Sequence, residues 1–388
     1  RIAGPVIVQM SLFAAIAVIV QTGISFLGLG VAPPAPTWGS MIFEASASLN
    51  DFPWLLVPSG GVVALTVLSF GLLGDSLRDA STESWSRPAV RQSVKARQAI
   101  QPKDLPEGCL LSLRDVTIVT GTGSATRTLV QGVNLDLKQG ETLGIVGESG
   151  SGKTLTSLSL MGLLPPGVHV STGTAVINGE VIDLSNERRL TQLRGATVGM
   201  IFQEPMAALD PCFTIGHQLA EVIRLQGLGA TQVQAKVMAL LEQVKIPNPQ
   251  DVAKRYPHQI SGGMAQRVGI ARALASEPRI LLADEPTTAL DVTVQAEILA
   301  LLRSLSQSRQ MAVVLVTHDW GVVADICDRA MVLRHGQALE SATVVDLFHR
   351  PQHPYTQALL AANPHSAKPG DVLPTVDDKL MNITGVAT

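Results

Sequence analysis

The sequence predicts an α/β domain that follows two transmembrane helices. From about Leu110 onward, short β-branched runs alternate with helical segments, which is typical of βαβ units. Two long apolar stretches without a charged residue precede this region. Of the 388 residues, 46% are hydrophobic and only 16% are charged, and a soluble chain of this length usually carries more charge. The composition therefore favours a membrane-attached protein with two or more domains.

The two apolar stretches run from about Pro5 to Val31 and from about Trp54 to Leu73. Each meets the requirement of about 20 apolar residues for a helix that crosses a bilayer. The alternative is a signal peptide plus a buried core helix, but two stretches without a small-residue cleavage pattern argue against it. Trp38 and Trp54 stand where interfacial anchors are expected. We therefore expect two membrane spans.

The polar segment at residues 80–107 predicts a linker because it shows no sustained apolar period. By the positive-inside rule its basic residues place it in the cytoplasm, and the loop around Pro33 to Pro36 then lies outside. The basic residues after the second apolar stretch are Arg78, just before this segment, and Arg87, Arg91, Lys95, Arg97 and Lys103 within it. The chain starts at Arg1 within an apolar pattern, so we expect it to be a piece of a longer sequence.

Charge and cysteine usage exclude other classes of protein. The formal net charge of -3 gives no reason to expect a nucleic-acid partner. The three cysteines, Cys109, Cys212 and Cys327, lack C-x-x-C spacing, so we expect reduced thiols in a cytosolic domain.

The string GESGSGKT predicts a phosphate-binding loop, because it lies between an apolar strand and a helix. Its glycines let backbone N–H groups surround phosphates. Lys153 places a positive charge at the β- and γ-phosphates, and Thr154 offers a hydroxyl to Mg²⁺. The predicted nucleotide-binding residues of the loop are Gly147, Glu148, Ser149, Gly150, Ser151, Gly152, Lys153 and Thr154.

Two later apolar strands lead into candidate catalytic residues. RILLAD ends at Asp284, which places a carboxylate beside the metal, and Glu285 follows as a candidate general base for the attacking water. VVLVTHD leads to His318, whose imidazole is expected to reach the γ-phosphate or to orient the water. The alternatives are an acidic strand cap and an incidental histidine, and the phosphate-binding loop argues against both.

With the string ISGGMAQRVGIARAL, the chain resembles the ATPases of ABC transporters over residues 110–340. The resemblance implies that the signature Ser261, Gly262, Gly263 and Met264 binds the γ-phosphate held by a partner's loop. A helix N-terminus suits that role because it presents amides and a dipole to an anion.

The resemblance also assigns two loops. Gln203 in MIFQEP is implied to be a catalytic residue that senses the γ-phosphate and the membrane subunit. Asp291 in TALD is implied to lie in a loop that communicates between two nucleotide sites.

The implied fold is an α/β P-loop NTPase of the ABC ATPase type, with a mixed β-sheet core at residues 108–345 and a helical subdomain at about 205–275. The implied activity is ATP hydrolysis with ATP and Mg²⁺ as cofactors. The implied metal residues are Thr154, Gln203 and Asp284.

One departure from the family concerns adenine. These ATPases usually stack adenine on an aromatic side chain about thirty residues before the loop, but Leu111 to Ile201 contains no Phe, Tyr or Trp. The equivalent position falls near Ile118 or Val119. Adenine is then expected to rest on an aliphatic surface or on a residue from elsewhere, which predicts weaker discrimination between bases.

Two features narrow the resemblance to importers of dipeptides, oligopeptides and nickel. Met264 stands where the wider family usually has Gln, and RPQHPYTQALLAANP resembles the C-terminal extension of that subfamily. The alternative for His353 to Tyr355 is a simple helix-start turn. The extension at residues 346–388 is predicted to be incomplete, and without a cysteine segment it implies no iron–sulfur site.

Residues 1–79 resemble the last two spans of the permease subunit of such importers. The implied protein is a multi-pass component of the bacterial cytoplasmic membrane whose ATPase domain faces the cytoplasm. Its implied partners are a second ABC ATPase domain, permease subunits, an extracytoplasmic solute-binding protein and membrane lipid, without nucleic acid. The expected cargo is a di- or oligopeptide. Nickel or another small solute, a soluble ABC ATPase, an exporter and a non-transporting fusion stay open as alternatives.

Overall fold

The computed structural model describes residues 3–31, 35–83, 108–121, 126–288 and 290–362. It divides the chain into two compact units, Arg1–Val90 and Arg91–Thr388. Three predictions lie wholly or largely outside the described residues: the basic residues of the linker, the first part of the predicted external loop and the C-terminal extension beyond residue 362.

The N-terminal unit consists of helices. Its elements are α1 (Ala3–Phe26), α2 (Trp38–Ala47), a 3₁₀ turn at Pro53–Leu55 and α3 (Leu56–Glu83). The stretches Gln9–Phe26 and Pro53–Leu73 are long and apolar enough to cross a membrane, with mean hydropathies of 1.6 and 2.0. Only 11% and 6% of these windows are buried within the chain. The low burial does not fit a core helix, and that these helices cross a membrane stays a prediction.

The region between the apolar stretches is not all loop. Thr37 caps α2, because its Oγ1 accepts a hydrogen bond of 3.1 Å from the Ser40 amide while the Ser40 Oγ accepts one of 3.0 Å from the Thr37 amide. Gly39 lets α2 approach α1, since a Cβ there would lie 2.3 Å from the Thr22 carbonyl oxygen. α3 also continues to Glu83, into the predicted linker, because no Pro or Gly interrupts residues 75–87.

The C-terminal unit contains two sheets. The first is antiparallel, in the order β2-β1-β4-β5, and its strands are β1 (Cys109–Thr120), β2 (Arg127–Lys138), β4 (Val168–Ile177) and β5 (Glu180–Asp183). The second has the order β10-β9-β3-β8-β7-β6, with β10 antiparallel to β9 and the other neighbours parallel. Its strands are β3 (Thr142–Val146), β6 (Val198–Ile201), β7 (Ile280–Asp284), β8 (Ala312–Thr317), β9 (Arg329–Arg334) and β10 (Gln337–Thr343).

The helices of this unit connect the strands and cover the second sheet. They are α4 (Lys153–Met161), α5 (Glu187–Leu193), α6 (Ile215–Arg224), α7 (Ala230–Gln243), α8 (Pro249–Val252), α9 (Gly262–Leu274), α10 (Val292–Arg309), α11 (Trp320–Ile326), α12 (Val344–His349) and α13 (Pro354–Ala361). Residues 205–275, predicted as a helical subdomain, contain α6 to α9.

The second sheet lies between two apolar cores. Successive side chains of a strand point to opposite faces. The side chains of Ile280 and Leu282 of β7 accordingly lie in one core with side chains of the antiparallel sheet and α4. Those of Leu281 and Ala283 lie in the other core, with side chains of α6, α7, α9 and α10. This layering buries β7 completely and fixes where its carboxyl end emerges.

Candidate nucleotide site

The predicted site residues follow the carboxyl ends of four neighbouring parallel strands. β3 leads into the loop at Gly147, β7 ends at Asp284, β8 is followed by His318, and Gln203 lies just after β6. Ligands of open α/β sheets bind at this edge. The strand order β3-β8-β7-β6 therefore brings together residues that are far apart in the sequence.

The loop at residues 147–154 closes around its own lysine. Lys153 Nζ donates hydrogen bonds to the carbonyl oxygens of Gly147 at 2.8 Å and Glu148 at 2.9 Å. The Lys153 side chain is buried, and burial lowers its pKa, against the opposite effect of Glu285, Asp284 and Glu148. A buried cation in a ring of backbone groups is suited to bind phosphate oxygens.

Glycine is required where the loop meets its neighbours. A Cβ on Gly147, whose φ is +154°, would lie 2.1 Å from the Leu333 carbonyl oxygen. A Cβ on Gly152, whose φ is +100°, would lie 2.8 Å from Val130 Cγ2. The exposed outer turn of the loop is formed by Glu148, Ser149 and Gly150, whereas Ser151 is buried.

Two oxygen-bearing side chains lie side by side below the loop. Thr154 Oγ1 donates a hydrogen bond of 3.0 Å to Asp284 Oδ1. Burial raises the pKa of Asp284, the Thr154 hydrogen bond opposes this rise, and the charge of Glu285 adds to it. A hydroxyl beside a carboxylate fits Mg²⁺, which prefers oxygen ligands. The positive charge of the metal would also favour the ionised form of Asp284.

Glu285 is held by three side chains. Its Oε1 lies 3.0 Å from His318 Nδ1, and its Oε2 accepts hydrogen bonds from Gln203 Nε2 at 3.1 Å and from Thr288 Oγ1 at 2.9 Å. Burial acts to raise the pKa of Glu285, but the hydrogen bonds of His318 and Thr288 and the charge of Lys153 lower it overall. The carboxylate is therefore ionised and oriented at neutral pH.

The backbone of Glu285 is itself unusual, with a φ of 45° directly after the buried strand β7. This left-handed conformation lets its amide donate a hydrogen bond of 2.9 Å to the Val316 carbonyl oxygen of β8. Thr288 was missed in the sequence, because a threonine in EPTTALD matches no motif. Gln203 contacts Glu285 through its amide nitrogen, and its role as a metal residue stays a prediction.

The predicted signature lies at the start of α9. Ser261 caps this helix, its Oγ accepting a hydrogen bond of 3.3 Å from the Met264 amide. A Cβ on Gly263 would lie 2.9 Å from Val294 Cγ1 of α10. Asp291 caps α10 by accepting a hydrogen bond of 2.9 Å from the Val294 amide, so the signature and the Asp291 loop meet at Val294. Gly262 is exposed, and the binding role of the signature stays a prediction.

Neither residue at the expected adenine position offers a stacking surface. Ile118 is fully buried and Val119 is 6% exposed, because both side chains belong to the antiparallel sheet. Neither side chain is therefore available for adenine to rest on, and what supports adenine stays a prediction.

Comparison with known proteins identifies a family and relatives of this chain. Residues 130–288 match the family described as ABC transporter. The chain is 49% identical over 284 residues to the glutathione import ATP-binding protein GsiA of Salmonella paratyphi A (strain ATCC 9150 / SARB42). The aligned region covers 70% of this chain and 46% of that protein. It is 48% identical over 268 residues to GsiA of Escherichia coli (strain K12), covering 67% and 43%. The chain thus spans about half the length of the curated relatives it matches.

Two solved structures are similar to part of this chain. One is the dimeric ATP-binding cassette MJ0796 in a post-hydrolysis state bound to ADP and Pi, with a TM-score of 0.53, 30% identity and coverage of 60% of this chain and 98% of that one. The other is cbiO1 from Clostridium perfringens, part of the ABC transporter complex cbiONQ, with a TM-score of 0.55, 25% identity and coverage of 63% and 92%. Both agree with the fold predicted from the sequence.

Proposed function

Since this chain carries an ATPase domain of the ABC transporter family, we propose that ATP hydrolysis by this domain drives the uptake of di- or oligopeptides across the bacterial cytoplasmic membrane. The observation that carries the catalytic part is the convergence of Gln203, Glu285 and His318 beside the phosphate-binding loop. The import part is supported by the curated relatives, which are named as glutathione import ATP-binding proteins.

In the proposed reaction the loop binds the phosphates of ATP and Glu285 activates the water. Lys153 faces the β- and γ-phosphates. The ionised Glu285 accepts a proton from the attacking water, and His318 and Gln203 keep its two oxygens in place. Thr154 and Asp284 would hold Mg²⁺, which neutralises developing phosphate charge when bound.

A second ATPase domain is proposed to complete each site. The signature residues Ser261 to Met264 would approach the partner's phosphates with the N-terminus of α9, where amides and the helix dipole favour an anion. Val292, next to Asp291, is 83% exposed, which agrees with a surface covered by a partner. A dimer is also described for the similar cassette MJ0796.

The N-terminal unit is proposed to be part of a permease embedded in lipid. Its apolar side chains are mostly exposed within the unit, and two of its helices have the length and hydropathy of membrane spans. Further permease subunits would supply the rest of the pathway, and an extracytoplasmic solute-binding protein would deliver the cargo. The ATPase unit would face the cytoplasm, where ATP is present.

A peptide is the preferred cargo because glutathione, the substrate in the names of the relatives, is a tripeptide. Nickel or another small solute is the second candidate, since the SGGM signature at residues 261–264 resembles that of peptide importers and of nickel importers alike.

The test begins with the full chain purified from membranes together with its co-purifying subunits. After reconstitution into proteoliposomes, uptake of labelled glutathione, a labelled dipeptide and Ni²⁺ is measured with and without ATP. We expect ATP-dependent peptide uptake that the Glu285→Gln variant lacks. Nickel uptake alone would favour the second candidate. ATP hydrolysis without permease partners or uptake would favour a soluble ATPase or a non-transporting fusion.

A further inference from the structure

The phosphate-binding loop contacts the turn between β9 and β10. This turn lies between the loop and β2 and forms hydrogen bonds with both. The Gly336 amide donates a hydrogen bond of 3.0 Å to the Ser151 carbonyl oxygen, and the Gly336 carbonyl oxygen accepts one of 2.8 Å from the Gln131 amide. The conformation of the loop thus depends on residues at the far end of the domain.

The C-terminal helix α13 adds a side chain to this support. Tyr355 is fully buried in a cluster with Val146, the residue just before the loop, and with Trp320 of α11. The guanidinium of Arg334 lies over its ring at 4.6 Å. Such a cation–π contact and the surrounding apolar side chains fix the direction of the phenol.

The phenol hydroxyl lies by the loop residue Glu148. Burial is the main reason why the pKa of Tyr355 is raised to about 12, and the negative charge of Glu148 is the second cause of this rise. The polar groups beside this enclosed hydroxyl are the backbone and the side chain of Glu148, and neither forms a hydrogen bond of good geometry with it. An enclosed polar group without a partner is unfavourable, so a conformation in which it donates to Glu148 is favoured.

The segment that leads into α13 is anchored firmly enough to act as a support. Glu340 accepts hydrogen bonds from the Gln352 amide at 2.8 Å and the His353 amide at 3.1 Å. Burial acts to raise the pKa of Glu340, but hydrogen bonds from Thr356 and from these two amides lower it. His353 Nδ1 in turn accepts a hydrogen bond of 3.1 Å from the Tyr355 amide. The His-Pro-Tyr string is therefore a helix start that also aims Tyr355.

We propose that Tyr355 is a positioning residue for the nucleotide site, which acts through Glu148 and touches no nucleotide group itself. Its buried hydroxyl donates to Glu148 when the loop closes on phosphates and so favours the nucleotide-bound loop. The inference rests on the ATP site and not on import, so that a chain without uptake activity can still be tested for it.

The test measures the affinity of the full chain for ADP by calorimetry, since ADP avoids turnover. We expect Tyr355→Phe to weaken binding about tenfold, which corresponds to about 1.4 kcal/mol, while kcat at saturating ATP stays within about twofold. Unchanged ADP affinity in this variant would overturn the proposal. So would an unchanged KM for ATP combined with a reduced kcat.

The matched control is Thr356→Val, which removes a buried hydroxyl from the next residue, where it acts on Glu340. We expect this control to lower the melting temperature and to leave ADP affinity unchanged. An equal loss of ADP affinity in both variants would mean that α13 acts only through stability and would overturn the proposal.

A double-mutant cycle with Glu148→Ala tests the contact itself. We expect Glu148→Ala to weaken ADP binding, and Tyr355→Phe to have little further effect in its presence. Additive losses would overturn the proposed route through Glu148. If Tyr355→Phe fails to fold, unchanged ADP affinity in Glu148→Ala still contradicts the inference.

Discussion

The Nδ1 atom of His318 lies 3.0 Å from Oε1 of Glu285, at the ends of two neighbouring strands of the parallel sheet. The other carboxylate oxygen is bound by Gln203 and Thr288. The pairing keeps the carboxylate ionised and restricts its rotation, so Glu285 has few orientations to sample before it meets a water molecule.

Replacing Glu285 by Gln is expected to separate binding from hydrolysis. The amide keeps the shape of the side chain but accepts a proton poorly, so we expect near-normal ATP affinity and a rate at least about 100-fold lower. Phosphate release and equilibrium ATP binding measure the two quantities. Glu204→Gln, at an exposed position next to Gln203, is the control and should hydrolyse normally. Near-normal hydrolysis by Glu285→Gln would remove Glu285 from the role of base.

The His318→Ala variant is expected to shift the acid limb of the pH–rate profile. His318 lowers the pKa of Glu285, so its removal raises that pKa and the residual activity is lost at a higher pH than in the parent chain. The measurement is kcat from pH 7 down to about pH 3.5, a range that includes the ordinary glutamate pKa of 4.5. His349→Ala, an exposed histidine of α12, is the control. An acid limb that does not move in His318→Ala contradicts the contact.

Asp284→Asn is expected to stabilise the nucleotide-free chain while abolishing ATP hydrolysis. Folding raises the pKa of this carboxyl through burial. Its contribution to stability is therefore present below the ordinary pKa of 3.8 and is lost as the pH rises through the folded pKa. At pH 7 the ionised group opposes folding, whereas Asn keeps an acceptor for Thr154.

Thermal unfolding without nucleotide tests this expectation. We expect the melting temperature of Asp284→Asn to exceed that of the parent chain at pH 7, and the difference to shrink at pH 3.5. A lower melting temperature at pH 7 would show that the ionised carboxylate stabilises the fold.

Weak discrimination between bases is expected because an aromatic stacking residue is absent between Leu111 and Ile201, and Ile118 and Val119 are buried. Loss of one aromatic stack forfeits about 1 kcal/mol of base-specific contact. We expect the Kd values for ATP and GTP to differ by less than tenfold in competition binding with Glu285→Gln, which prevents turnover. A larger preference for ATP would point to another residue that reads adenine.

The sequence was sufficient for those parts of the molecule that follow from local pattern. The buried strand that ends at Asp284, the strand before His318 and the helix that starts after Ser261 all form as predicted. Each has a run of apolar residues or a capping side chain, and these local features predict a buried strand or the start of a helix.

Other features depend on contacts that no local pattern encodes. α2 was missed because its short cap, Thr37 with Ser40, lies in a segment rich in Pro and Gly. Thr288 and Tyr355 were not recognised as neighbours of the site, because the sheet and α13 bring them there from outside the motifs. The strand order decided these positions, and it could not be derived from the spacing of the residues.

The strand order also has a consequence for synthesis on the ribosome. β3 and the loop at residues 147–154 leave the ribosome early, but β3 is flanked by β8 and β9, which are made much later. Glu285, His318 and finally Tyr355, which lie around this loop in the folded domain, are all synthesised after it. A nascent chain that ends before His318 therefore lacks part of the proposed catalytic site and is expected not to hydrolyse ATP.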